Sequence, residues 1–119
     1  MVNIEDLKNV GLEINDEHKN GKLLIDIYTT WCGPCKFVAP ILHKLRDEGL
    51  IKLIQVDLDQ HRPLGEMFGI TAIPTLLFFK DGKLLDNTIE VQGQPLVHKG
   101  MMIGAAGEPI LREIISQMD

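Results

Sequence analysis

Apolar residues recur at Ile4, Leu7, Val10 and Ile14, and this roughly helical spacing predicts that residues 1–20 open the chain as helix. Asn20-Gly21 supplies the turn chemistry that ends such a segment. Leu23-Leu24-Ile25-Asp26-Ile27-Tyr28 is then an almost unbroken apolar run, the pattern of a short strand buried on both faces. Phe37, Val38, Ile41, Leu42 and Leu45 return to helical spacing, with Pro40 inside the stripe predicting a kink and Gly49 closing the helix. A second apolar run, Ile51 to Leu58, completes strand, helix and strand, so these two strands should be parallel. Pro63 to Phe68 reads as a short helix, Thr75 to Phe79 as a third strand, and Lys80-Asp81-Gly82-Lys83 as a hairpin turn. A fourth strand is expected near Met101-Met102-Ile103. Glu108-Pro109 would open a last helix with Ile110, Leu111, Ile114, Ile115 and Met118 on one face. The pattern predicts an α/β fold: a central mixed β-sheet of about four strands flanked by helices on both faces.

Composition narrows the class. The 119 residues suit one domain, and 45% hydrophobic content suffices for a core without staples. A net charge of −5 with no basic block argues against nucleic acid or an anionic membrane as partner. Met1 to Asp6 lacks the charged-then-apolar pattern of a signal peptide, and no apolar stretch approaches the roughly 20 residues a membrane helix needs. Two cysteines are too few for a secreted disulfide scaffold. The expected compartment is the reducing cytoplasm.

Both cysteines lie in Trp31-Cys32-Gly33-Pro34-Cys35, where the first strand gives way to the long helix. A Cys-x-x-Cys in that place is the sequence form of a dithiol redox site. Cys32 would sit at the helix amino end, where free N–H groups and the helix dipole favour a thiolate. Cys35 falls one turn further in, facing the protein, which suggests an exposed attacking sulfur and a shielded resolving one. Two other uses stay open. As a staple, a ring of four residues stabilises by only about 2 kcal/mol, against about 3 for fifteen. As a metal site, the pair lacks two ligands, and His18, His43, His61 and His98 are not grouped near it. Asp26 is the only charge in its strand; burial there should raise its pKa toward neutrality and suit it to proton exchange with Cys35. An edge-facing or backbone-bonded Asp26 without a catalytic role is the alternative. His43 falls opposite the apolar stripe of its helix and reads as a solvated side chain. Tyr28 reads as packing.

Trp-Cys-Gly-Pro-Cys-Lys after an apolar strand carrying one Asp, with Ile73-Pro74-Thr75 much later, resembles the thioredoxin family over roughly residues 22–82. Gly104 and the final helix match more loosely. The resemblance implies a thioredoxin fold and reduction of protein disulfides by dithiol–disulfide exchange. It implies Cys32 as nucleophile, Cys35 as resolving thiol, the two forming the redox-active disulfide, and Asp26 as proton acceptor and donor for Cys35. It also implies a cis Pro74 and an apolar docking patch of Trp31, Gly33, Pro34, Ile73, Pro74 and Gly104. Neither cofactor nor metal is implied. The implied partners are disulfide-containing client proteins and a thioredoxin reductase, flavin- or ferredoxin-dependent, acting on a monomer. Gly33-Pro34 between the cysteines goes with reduction, where oxidases and isomerases usually carry His beside the second Cys. Two rival expectations are a dedicated electron donor to one enzyme and a non-catalytic binding module that keeps the fold.

The chain departs from the family pattern in three places. Gln55 stands where the neighbouring strand often supplies a Lys facing the buried Asp, so Asp26 is expected to titrate higher than in Lys-bearing relatives. Residues 1–20 look helical where a first strand is common. Finally, an inserted segment within residues 84–99 makes the stretch from Pro74 to Gly104 longer by about a dozen residues than is usual in the family. Ile89 and Val91 alternate with polar neighbours, Gln92-Gly93-Gln94-Pro95 reads as a turn, and Leu96-Val97 follow. This predicts a lengthened or additional hairpin within a single domain of residues 1–119, more a tolerated surface excursion than a partner contact.

Overall fold

The computed structural model describes residues 2–119. Its centre is β1 (Lys22–Tyr28), parallel to β2 (Lys52–Asp57) on one side and antiparallel to β3 (Thr75–Lys80) on the other. Helix α1 (Gly33–Asp47) joins the two parallel strands, and α2 (Arg62–Phe68) precedes β3. Strand periodicity sends neighbouring β1 side chains to opposite faces. Leu24 joins a core with Val38, Leu42 and Leu45 of α1. Leu23, Ile25 and Ile27 join the second core with Leu64 of α2 and Ile4 and Leu7. Asp26 therefore shares the face of Leu24, under α1.

The expected opening helix is present as two 3-10 segments, Ile4–Val10 and Asp16–Lys19. The customary first strand is reduced to a bridge between Asn3 and Lys83, with Leu84 N–H donating to Val2 O at 3.0 Å. The final helix, α3 (Glu108–Ser116), buries Leu111, Ile114 and Ile115 on the α1 side of the sheet.

The inserted hairpin lies between the third strand and the Met101–Ile103 strand, as expected. It divides the last strand in two. β4 (Lys83–Leu84) pairs with Phe79 and Lys80, while β7 (Met101–Ile103) pairs with Thr75 to Leu77 on the same edge of β3. At the break, Phe78 uses one residue from each stem: its N–H donates to Gly100 O at 2.9 Å, and its carbonyl accepts Leu85 N–H at 3.0 Å. Between the stems, β5 (Ile89–Val91) and β6 (Gln94–Val97) form a separate antiparallel pair. The turns Asp81-Gly82, Gln92-Gly93 and Lys99-Gly100 all have positive φ at both residues, the requirement of tight type I′ hairpins.

This hairpin is more than a surface excursion. Ile89, Val91 and Val97 are buried in the same cluster as Leu111 and Ile114, and Gln117 Nε2 donates to Glu90 O at 2.9 Å. An apolar side chain so covered contributes roughly 1.5–3 kcal/mol. The insertion widens the core beneath α3.

Candidate active site

Cys32 is the N-cap of α1, and its sulfur accepts the Cys35 N–H at 3.2 Å. Pro34 occupies the first turn, where a missing N–H costs nothing. The two cysteines are joined as a disulfide with a Cα–Cα distance of 5.3 Å. Both are buried, Cys32 at 5% exposure and Cys35 at 3%. The expected contrast between an exposed and a shielded sulfur is thus slight in the oxidised state, because the turn into α1 covers both. Gly33 and Pro34 are exposed beside them.

Asp26 is fully buried, at 0% exposure, and stands opposite Gln55 in the β1–β2 register. Gln55 Nε2 donates to Asp26 Oδ2 at 3.2 Å, while Oδ1 has no hydrogen-bond partner among the described residues. Burial holds the Asp26 carboxyl above the usual carboxylate range, and the Gln55 hydrogen bond, then the charge of His43, pull it partly back. Asp26 and Cys35 line one cleft of about 350 Å³, with Tyr28, Thr29, Lys36, Ala39 and Gln55 among its walls. The acid and the inner cysteine thus open onto a common space.

Trp31 is 70% exposed, and its indole Nε1–H donates to Asp59 Oδ2 at 3.1 Å. Trp31 and Ile73 share a second, shallower cleft. The Ile73–Pro74 bond is cis, and Pro74 O accepts Gly104 N–H at 2.7 Å, which joins the Gly104 loop to the segment before β3. Among the described residues no three His, Cys, Asp or Glu side chains converge as a metal cluster, and no helix is long and apolar enough to cross a membrane.

Two residues of this region escaped the sequence reading. Asp59 anchors the Trp31 indole from the turn after β2, a link that no local spacing announces. His43 is half-buried rather than solvated: its Nε2 donates to Gln55 Oε1 at 2.8 Å. Cys35, Ala39 and His43 stand four apart and share one row of α1, but that spacing does not name a partner on β2. That row lies along the Asp26 side of the sheet.

Comparison with known proteins agrees with this geometry. The thioredoxin family model matches residues 5–100. The chain is similar to the thioredoxin of Chlamydia caviae, 44% identical over 70 residues, covering 58% of this chain and 69% of that one. It is also similar to the thioredoxin of Listeria monocytogenes, 39% identical over 75 residues, covering 61% and 73%. The crystal structure of Fasciola hepatica thioredoxin superposes with a TM-score of 0.68 at 31% identity, covering 98% of this chain and 91% of that one. A dithiol pair capping a helix on this sheet, within a sequence so matched, leads to one conclusion: the chain belongs to the thioredoxin family and is a thiol–disulfide oxidoreductase with disulfide-reductase activity, its redox pair being Cys32 and Cys35.

Proposed function

We propose that the chain reduces disulfides of client proteins in the cytoplasm, with Cys32 attacking, Cys35 resolving and Asp26 moving the proton. The observation that carries this reading is the pairing of a helix-capping Cys32 with a buried Asp26 that shares the Cys35 cleft. In the reduced protein, the Cys35 N–H and the amino end of α1 favour negative charge on the Cys32 sulfur. That thiolate attacks one sulfur of a client disulfide; a Cys32–client bond forms, and the other client sulfur leaves as a thiolate. Cys35 then gives its proton to ionised Asp26 and attacks the Cys32 sulfur. The internal disulfide closes, and the second client sulfur leaves reduced. Two electrons pass to the client, and a reductase dithiol must return them to this chain. A carboxyl held up by burial suits the proton transfer, because a base works best with a pKa near the working pH.

Exposed Trp31, Gly33 and Pro34, with half-buried Ile73 and Gly104 at their edge, supply a mainly apolar face for client docking, and buried Pro74 shapes its floor. Replacing Cys35 with Ser tests the order of events. Incubated with a disulfide-bearing protein such as insulin, Cys35→Ser should accumulate a mixed disulfide on Cys32, visible on a non-reducing gel and released by dithiothreitol. If Cys32→Ser accumulates the adduct instead, the assignment of attacking and resolving sulfurs is wrong.

A further inference from the structure

The two oxygens of Asp26 have different surroundings. Oδ2 accepts from the Gln55 amide, and Oδ1 is buried without a partner. The other end of that amide accepts from His43 Nε2. One link therefore comes from each of β1, β2 and α1. A primary amide is asymmetric, since its oxygen only accepts and its nitrogen only donates. What His43 presents at Nε2 consequently decides which end of Gln55 meets the acid. With Nε2 protonated, the amide oxygen turns to His43 and its NH2 turns to Asp26. This arrangement suits a carboxylate, or an acid whose proton sits on Oδ1. An imidazolium ring can only donate, so it enforces the arrangement.

We propose that His43 is a positioning residue for disulfide exchange: through Gln55 it holds Asp26 Oδ2 as an acceptor and leaves Oδ1 as the oxygen that trades a proton with Cys35. The charge of a protonated His43 also favours ionised Asp26. The groups that face Asp26 leave the relay as its main polar connection. α1 presents Cys35, Lys36 and His43 on this side, β2 presents Gln55, and Tyr28 follows on β1 itself. The register neighbour on β3 is Leu76, which carries no charge. Of these groups, the Gln55 hydrogen bond and then the charge of His43 lower the acid. His43 has no carboxylate ion-pair partner among the described residues. Its strong polar contact is Gln55.

The kinetic part of this inference rests on Asp26 being the proton acceptor of Cys35, and the experiment separates the two. The oxidised full-length chain, labelled with carbon-13 at aspartate, is titrated by NMR as wild type, His43→Ala, His43→Gln, Gln55→Leu and His43→Ala/Gln55→Leu. Both side chains reach the surface, so the substitutions spare the core. His43→Ala should raise the Asp26 midpoint by about half to one pH unit, a three- to tenfold fall in its acid constant. Gln55→Leu should raise it by about one unit or more, and adding His43→Ala to Gln55→Leu should change nothing further. His43→Gln, which keeps a donor, should hold the midpoint closer to wild type than His43→Ala. An unmoved midpoint in His43→Ala overturns the relay. So does an equal His43→Ala shift with and without Gln55, which would mean charge acting directly through space. In parallel, the pH profile of mixed-disulfide resolution should follow the Asp26 midpoint in each variant. If the midpoint moves and the rate profile does not, the positioning role falls with the proton-acceptor role of Asp26. If the rate profile of the wild type follows Asp26 but His43→Ala moves neither, Asp26 keeps its role and the relay fails.

Discussion

Gly100 is where the insertion rejoins the sheet, and Gly100→Ala measures how closely its two stems meet. Its φ is +79°, and an added Cβ would stand 2.5 and 2.6 Å from side-chain carbons of Leu84 and 2.8 Å from the carbonyl oxygen of Leu85. The Leu84 side chain can rotate aside. The backbone at Leu85 is held at the sheet edge, because the Leu85 N–H is bonded to Phe78 O at 3.0 Å. A left-handed backbone costs alanine about 1–2 kcal/mol, and overpacking adds about 1–3, so the total loss is about 2–5 kcal/mol. Gly93 is the control. It has nearly the same φ, +78°, but nothing lies within 4 Å of its added Cβ. Gly93→Ala should therefore lose only the backbone part, about 1–2 kcal/mol. For a chain of 119 residues, 1 kcal/mol corresponds to roughly 4 °C in Tm. Thermal unfolding followed by circular dichroism should show a fall of roughly 8–20 °C for Gly100→Ala and roughly 4–8 °C for Gly93→Ala. Equal losses at the two glycines would refute the close approach of the stems at Phe78.

Stability should also register Asp26 through pH. Its folded pKa lies above the unfolded one, so the folded chain holds the extra proton between the two. Stability then falls as pH rises through that window, by about 1.4 kcal/mol for each pH unit of displacement. Asp26→Asn should abolish that slope and be the more stable protein at neutral pH in urea unfolding; parallel curves for the two proteins would contradict the raised pKa. Ile89→Ala should cost about 2–4 kcal/mol by the same assay, as for a core position. A loss below about 0.5 kcal/mol would return the hairpin to the status of a surface loop.

The local signals and their limits can be followed residue by residue. The apolar run around Leu24, the stripe of α1 and the Asp81-Gly82 turn were legible because strand and helix periods and turn chemistry act over a few residues. The alternation of Ile89 and Val91 likewise announced strand. That the pair would bury itself under α3, and that the insertion would divide a strand opposite Phe78, depended on packing between residues far apart in the chain. The site divides in the same way. Cys32 and Cys35 are close in sequence, so their spacing and the helix start beside them sufficed, and Asp26 stood out as a lone charge in an apolar strand. Asp59 under the Trp31 indole and His43 behind Gln55 did not, because each reaches its partner across a different element.

The sequence by itself determined the Cys-x-x-Cys pair, the strand and helix that carry it and a lone acid within that strand, since these follow from spacing and hydrophobic pattern. Tertiary structure alone decided the β1–β2 register that sets Gln55 opposite Asp26, the rotation of α1 that brings His43 onto Gln55, and the docking of the inserted hairpin on α3. Hydrogen bonds and close packing act between surfaces, and those surfaces exist only once the sheet and its helices have come together.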